Sequence, residues 1–133
     1  MADSKPPKAI DLFAGPGGLS LGLTLAGFDI AGAIEWDPQA GRTYRHNIGG
    51  HVTIGDIRDV PPNEMDRRLK SVGAIRSKYD IQLITGGPPC PGFSLIGRSK
   101  IANLILTGEW EGSDPRHSFI DDPRNQLFRE FVL

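Results

Sequence analysis

The chain has 133 residues, of which 38% are hydrophobic and 23% charged, and its formal net charge is −1. This composition is typical of a soluble folded domain, and the near-neutral charge lacks the basic excess of a self-sufficient nucleic-acid-binding surface. A single cysteine excludes an internal disulfide, and one cysteine with three scattered histidines does not make a zinc site. No apolar run is long enough to span a membrane and the polar N-terminus lacks a signal-peptide core, so we expect a cytoplasmic protein that is not secreted.

The first predicted unit is a strand, a glycine-rich turn and a helix. Residues 9–13 form a short, mostly apolar run that predicts a strand. Gly15 and Gly17 lie in the turn, and leucines at helical spacing predict a helix that ends near Gly27. Such a unit is typical of nucleotide-binding folds, because the glycines let a ligand approach the backbone and the helix start offers unpaired N–H groups.

An acidic residue ends the second predicted strand, residues 30–35. This residue, Glu35, follows Gly15 at the spacing from which an acid accepts hydrogen bonds from ribose hydroxyls in such folds. Trp36 comes next, and its ring could stack on an adenine. The alternatives are a solvated strand-end charge for Glu35 and ordinary core packing for Trp36.

The alternation of helices and strands continues through the middle of the chain. Asp37 and Pro38 predict the N-cap and first residue of a second helix that runs to about His46. Residues 52–54 predict a third strand, after which Asp56 either accepts from an exocyclic amine or closes a turn. A third helix is predicted by a weak apolar stripe of Met65, Leu69, Val72 and Ile75. The two histidines of this region, His46 and His51, are interpreted as surface or satisfied residues.

The fourth predicted strand, residues 80–85, leads into a loop with the single cysteine. Three prolines beside Cys90 fix φ and remove backbone donors, so the thiol lies in a stiff loop at a strand end. This indicates a functional cysteine, and the alternative is a turn that happens to contain a thiol. Residues 97–118 show little pattern and could form a lid. The final predicted helix has an apolar stripe of Leu127, Phe131 and Val132.

These elements predict an α/β fold with a parallel sheet and helices on both faces. Right-handed crossovers place the first and fourth strands side by side, with their carboxyl ends at the point where ligands bind. The glycine turn, Glu35, Asp56 and Cys90 then lie along one rim of the sheet.

Five segments in this order resemble the first five motifs of the cytosine-5 DNA methyltransferases. They read DLFAGPGG at 11–18, EWD at 35–37, GDI at 55–57, GPPCPGFS at 87–94 and PRNQL at 123–127. The resemblance covers nearly the whole chain. It implies a Rossmann-like methyltransferase fold that uses S-adenosylmethionine, here ending after about four parallel strands, in a bacterial cytoplasmic or nucleoid-associated protein of restriction-modification type.

The resemblance also implies a role for each matching residue. Cys90 would be the nucleophile that adds to carbon 6 of cytosine, so that carbon 5 can accept the methyl group. Glu35 would bind the ribose hydroxyls and Trp36 would contact the adenine. The remaining cofactor contacts would be Phe13, Gly15 and Gly17 beside the methionine and ribose, Asp56 and Ile57 at the adenine edge, and Pro88, Asn125 and Leu127 closing the pocket. No residue is assigned to a metal.

Two features depart from the family pattern. Pro91 stands where many members have glutamine, which would alter how the loop contacts the extruded base. The Glu-Asn-Val segment that protonates ring nitrogen 3 and the target recognition domain are absent from the sequence. Residues 1–133 are therefore interpreted as the N-terminal part of a catalytic domain. We expect it to be inactive alone, with DNA as substrate and a C-terminal remainder or complementary subunit as partner.

Three other functions compete with this interpretation. A nicotinamide- or flavin-binding oxidoreductase would need a third glycine where Ser20 stands. A non-catalytic cofactor-binding or assembly module would leave Cys90 unreactive. An RNA cytosine methyltransferase would share the motifs that are present, since the substrate is selected mainly by the absent region.

Overall fold

A computed structural model of the chain describes residues 5–89, 103–108 and 123–132. The chain divides into two compact units, Met1–Gly87 and Pro88–Leu133. The first unit contains a four-stranded sheet with strand order β3-β2-β1-β4, in which every neighbouring pair is parallel. Its elements are β1 (Lys8–Leu12), α1 (Gly18–Leu25), β2 (Asp29–Glu35), α2 (Pro38–Asn47), β3 (Val52–Ile54), α3 (Pro62–Ser71) and β4 (Ile81–Gly86).

Helices cover both faces of this sheet. On one face, the Cα of Gly32 lies against Leu69 of α3, so closely that a Cβ would be 2.8 Å from the leucine Cδ2. On the other face, Ala33 packs in a buried cluster with Tyr44 of α2 and Val52 of β3. The parallel α/β fold and the pairing of β1 with β4 are thereby confirmed.

The element boundaries differ from the sequence predictions for local reasons. β1 ends at Leu12 because Phe13 has a φ of 61°, which is incompatible with a strand. β4 begins after Asp80, since the Asp80 side chain closes a capped 3-10 turn with Ser77. Val72 lies beyond the end of α3 and is 77% exposed, so its predicted place in the apolar stripe is wrong.

The second unit is described in two short parts. Residues 103–106 form a helical turn, α4. A 3-10 turn at Pro123–Gln126 runs directly into α5 (Leu127–Val132). Val132 is 64% exposed, so it does not belong to a buried stripe. Within the described parts of the chain, no helix is long and apolar enough to cross a membrane.

Candidate cofactor site

The turn between β1 and α1 is built from backbone conformations that ordinary residues avoid. Phe13, Gly15 and Gly17 all have positive φ angles, of 61°, 55° and 101°. The Ala14 N–H donates to the Ile34 carbonyl at 2.9 Å, which ties the turn to the neighbouring strand. α1 then begins after its N-cap Gly17, which has no side chain to accept from the first N–H groups. The Ser20 backbone N–H bonds to the buried Asp11 carboxylate, and a helix start generally offers its other N–H groups to polar ligands.

The two predicted glycines meet different surroundings. A Cβ on Gly15 would have no neighbour within 4 Å, so the space beside this residue is open to a ligand. A Cβ on Gly17 would lie 2.4 Å from Cγ1 of Ile48 and 3.0 Å from Cδ2 of Tyr44. Gly15 therefore faces open space, whereas Gly17 is a close contact between the turn and α2.

Glu35 is hydrogen-bonded to the glycine turn. Its Oε2 accepts from the Gly15 N–H at 2.6 Å, and its Oε1 accepts from the Asp37 N–H at 2.7 Å. Both carboxylate oxygens are thus oriented by backbone donors at the carboxyl end of β2. This bond brings together the two features that the sequence spacing linked.

Trp36 lies beside this carboxylate and is 66% exposed. Ordinary core packing, the alternative for this residue, is therefore wrong. An exposed indole next to a turn with open space is a surface on which a flat aromatic ligand can stack.

Asp56 and Ile57 follow β3 and form the start of a 3-10 turn at Ile57–Asp59. The Asp56 carboxylate accepts from the Arg58 backbone N–H at 2.9 Å and from the Arg58 guanidinium. The hydrogen bonds from the Arg58 side chain hold the pKa of Asp56 below its ordinary value. Ile57 is buried. Asp56 therefore closes this turn, which is the second of the two roles that the sequence predicted for it. Its contact with an adenine stays a prediction.

The remaining predicted residues belong to the second unit. Pro88 and Leu127 are half-buried, and Asn125 lies in the 3-10 turn before α5. Cys90 and most of the predicted lid at 97–118 lie outside the described residues. Their predicted roles stay predictions.

A buried polar chain beneath the glycine turn was missed by sequence reasoning. Asp11 is wholly buried, and its Oδ2 accepts from the Ser20 hydroxyl at 2.6 Å. The Tyr44 hydroxyl donates to Ser20 Oγ at 2.8 Å and lies 2.9 Å from Nε2 of His51. Burial raises the pKa of Asp11, although hydrogen bonds from Ser20 oppose this effect.

One feature of the sequence pointed to these side chains: Asp11 lies inside an apolar strand. Since acidic residues are almost never fully buried without partners, a carboxylate in that position indicates buried polar neighbours. The hydrogen bond between His51 and Tyr44 confirms the interpretation of His51 as a satisfied residue. His46 is exposed on α2.

A cleft of about 520 Å³ lies at the opposite end of the sheet. Residues 5–8, 73–76, 80 and 82 line it, near the amino ends of β1 and β4. The glycine turn follows the carboxyl end of β1, so this cleft is separate from the candidate site. Within the described ranges, no group of three or more histidine, cysteine, aspartate or glutamate side chains could hold a metal ion.

The sequence is similar to several type II methyltransferases. A type II methyltransferase, M.XorII of Xanthomonas oryzae pv. oryzae, is 38% identical over 127 residues, which are 95% of this chain and 24% of the relative. M1.HphI of Haemophilus parahaemolyticus is 38% identical, over 92% of this chain and 27% of its own length. M.HgiGI of Herpetosiphon aurantiacus is 41% identical, over 74% of this chain and 75% of its own length. The chain thus spans about a quarter of the first two relatives.

The fold is similar to solved methyltransferase structures. A prophage-encoded E. coli protein, described as a DNA modification methyltransferase, superposes with a TM-score of 0.63 at 32% identity, over 93% of this chain and 27% of that one. The S. pombe Dnmt2 methyltransferase superposes with a TM-score of 0.57 at 26% identity, over 94% of this chain and 30% of that one. Residues 7–132 also match the C-5 cytosine-specific DNA methylase family across nearly the whole sequence. The chain therefore belongs to the family of C-5 cytosine-specific DNA methylases.

Proposed function

We propose that this chain binds S-adenosylmethionine at the glycine turn and provides the nucleophile for methylation of carbon 5 of cytosine in DNA. The observation that supports this most directly is the 2.6 Å hydrogen bond from the Gly15 N–H to Glu35 Oε2. This bond connects the glycine turn, which a nucleoside would approach, with Glu35, which would bind the ribose of that nucleoside. Glu35 is thus hydrogen-bonded to the backbone on both oxygens and is not only a solvated charge.

The described residues of the turn fit this cofactor. An ionised carboxylate has about four acceptor positions, and backbone N–H groups use one on each oxygen of Glu35. The remaining positions can accept two ribose hydroxyls. The open space beside Gly15 admits the ligand close to the backbone, and the exposed Trp36 ring offers an adenine a stacking surface.

Other contacts are proposed from the family pattern. Phe13 and Gly17 would border the methionine and ribose, and Asp56 and Ile57 would lie at the adenine edge. Because Asp56 already accepts from Arg58, an exocyclic amine would share the carboxylate with that guanidinium. Pro88, Asn125 and Leu127 would close the pocket.

Cys90 would act on the cytosine ring. When bound, S-adenosylmethionine supplies an electrophilic methyl group. The Cys90 thiolate would add to carbon 6 of cytosine, which makes carbon 5 electron-rich enough to accept that methyl group. Loss of the carbon-5 proton then restores the ring double bond and expels the thiolate. The base must leave the helix stack first, because its ring face is covered in a duplex.

We further propose that two functions come from a C-terminal remainder or a complementary subunit. Residues 1–133 contain no Glu-Asn-Val segment, so the acid that protonates ring nitrogen 3 would come from that part, as would target recognition. The small share of M.XorII that the chain spans supports this proposal. The chain alone would then bind the cofactor without methylating DNA.

The Glu35→Gln variant tests the cofactor site. An amide retains one acceptor oxygen but places an NH2 group against a backbone donor, Gly15 or Asp37 N–H, so the carboxylate geometry is lost. Charged hydrogen bonds contribute about 1.5–3 kcal/mol, so we expect S-adenosylmethionine to bind about 10- to 100-fold more weakly by calorimetry.

The matched control is Glu64→Gln on α3, where the carboxylate pairs with Arg67 and Arg68 at the surface. This variant should bind the cofactor as the unaltered chain does. Equal affinity of the Glu35→Gln variant and the control would contradict the proposed site.

A further inference from the structure

The four side chains beneath the turn, Asp11, Ser20, Tyr44 and His51, form one continuous hydrogen-bonded unit, here called the Asp11–His51 chain. It begins at a wholly buried carboxylate in the central strand β1 and ends at a histidine on the surface before β3. Its three side-chain contacts measure 2.6, 2.8 and 2.9 Å. It therefore connects solvent to the core directly under the cofactor site.

The hydrogen bonds of this chain run in one direction. Ser20 donates its only hydroxyl proton to Asp11, and Tyr44 donates its proton to Ser20. The Tyr44 oxygen then has lone pairs alone to offer to His51, so Nε2 of His51 must be protonated. With Asp11 ionised, every proton of the chain points towards the buried carboxylate.

The Asp11–His51 chain also packs against the glycine turn. Tyr44 is wholly buried, and its ring lies against Gly17, where a Cβ would be 3.0 Å from Cδ2. Ser20 is the third residue of α1, which begins directly after Gly17. We therefore expect a change at the Tyr44 hydroxyl to alter the structure both at Gly17 and at the start of α1.

The surroundings of His51 disfavour a second proton on its ring. The ring contacts Tyr44 edge-on at 5.5 Å, and its Nδ1 faces the Gly49 backbone, where a Cβ would be 2.8 Å away. Although the residue is exposed, partial burial of its ring against Tyr44 lowers the pKa of His51 from its ordinary 6.5, and the charge of Asp29 opposes this. Asp29 is itself paired with Lys8. At the other end, the charge of Glu35 on β2 faces Asp11 and disfavours its ionisation.

We propose that Tyr44 and His51 are positioning residues for the cofactor: neutral His51 donates through Tyr44 and Ser20 to Asp11, and so holds Gly17 and the start of α1 in the binding arrangement. Protonation of His51 releases this hold, because the charged ring is better solvated away from Tyr44 and Gly49. Cofactor affinity then falls as the pH decreases through the pKa of His51. This inference rests on the proposed cofactor site.

The experiment measures S-adenosylmethionine affinity by calorimetry between about pH 5 and pH 8, the range in which histidine titrates. The 133-residue chain is compared with His51→Gln, whose amide can donate to Tyr44 but cannot titrate, and with Tyr44→Phe, which keeps the ring under Gly17. His46→Gln, an exposed histidine on α2, is the matched control. In parallel, nuclear magnetic resonance follows the His51 ring and the Gly17 amide over the same pH range, without cofactor.

We expect the unaltered chain and His46→Gln to bind more weakly at low pH, and His51→Gln to bind with no such dependence. Tyr44→Phe should bind about fivefold more weakly at high pH, the effect of one lost hydrogen bond, and should also lose the pH dependence. The Gly17 amide shift should follow the His51 titration in the unaltered chain and not in Tyr44→Phe.

A His51→Gln variant with the pH profile of the unaltered chain would overturn the inference, as would a Tyr44→Phe variant that lowers thermal stability without changing affinity. If no protein binds the cofactor at any pH, the proposed function fails instead. The Gly17 amide then decides this inference alone: an amide that ignores the titration of His51 rejects it.

Discussion

Gly15 and Gly17 have different physical reasons to be glycine, although both lie in the same turn. Each has a positive φ, which costs a residue with a side chain roughly 1–2 kcal/mol. Gly17 has a second constraint, because its Cα lies against Ile48 and Tyr44. Beside Gly15 there is open space, which in our proposal the cofactor enters. We therefore expect a substitution of Gly15 to affect mainly cofactor binding, and a substitution of Gly17 to affect mainly folding.

We expect Gly15→Ala to lower the free energy of unfolding by about 1 kcal/mol and to weaken cofactor binding more than tenfold, because the methyl group enters the ligand's space. Gly17→Ala should cost about 3 kcal/mol or more, since its methyl group also overlaps Ile48. Urea unfolding and calorimetry measure the two effects. Equal losses of stability in the two variants would contradict this, because they would show that Ile48 and Tyr44 can move away from the added methyl group at little cost.

The buried carboxylate of Asp11 should make stability depend on pH. Burial raises its pKa in the folded protein above the ordinary 3.8, so the folded state binds more protons than the unfolded state. Its contribution is therefore fully present below pH 3.8 and is lost as the pH rises through the folded pKa.

An Asp11→Asn variant removes this titration. Its free energy of unfolding should decrease less between about pH 4 and pH 8 than that of the unaltered chain, as measured by urea unfolding at several pH values. Asp59→Asn, an exposed control in the 3-10 turn after β3, should retain the original slope. An unchanged slope in Asp11→Asn would mean that Asp11 has its ordinary pKa when folded.

At the scale of elements, the sequence predicted those whose signals are local. The start of α2 was predicted from Asp37 and Pro38, because a cap and a proline act within one helical turn. β3 was predicted with its observed bounds. In α1 the helix was predicted, but its buried residue is Ser20, while Leu19 is 45% exposed. Ser20 is buried because Asp11 and Tyr44 meet it there, and this depends on contacts between elements distant in sequence.

The cap of α2 gives a test at this scale. The Asp37 carboxylate accepts from the N–H groups of Gln39 and Ala40 at 2.7 and 2.9 Å. Asp37→Ala leaves these donors without their partner and should lower the free energy of unfolding by about 1 kcal/mol. Asp37→Asn, which retains an acceptor oxygen, should lose less than half of that amount in the same urea titration. An alanine variant as stable as the asparagine variant would indicate that water replaces the cap at no cost.

At the scale of the whole molecule, the parallel sheet and its strand order were predictable because strands alternate with helices and crossovers are right-handed. The same rule placed the glycine turn and Glu35 together, and the structure joins them by a hydrogen bond. The Asp11–His51 chain was not predictable in this way. Its members come from β1, α1, α2 and the segment before β3, and packing brings them together.

The near-neutral charge also has a consequence at this scale. With a net charge of −1, the chain lacks the basic excess that is typical of a DNA-binding surface. In our proposal the complementary part of the enzyme supplies them, while this chain supplies the cofactor site and Cys90.

The central claim is that these residues bind S-adenosylmethionine, and the most direct measurement is a calorimetric titration of the 133-residue chain with this cofactor and, separately, with NADH. We predict binding of S-adenosylmethionine at one site with a dissociation constant in the micromolar range, and no binding of NADH. Binding of NADH without S-adenosylmethionine, or binding of neither ligand, would contradict the account.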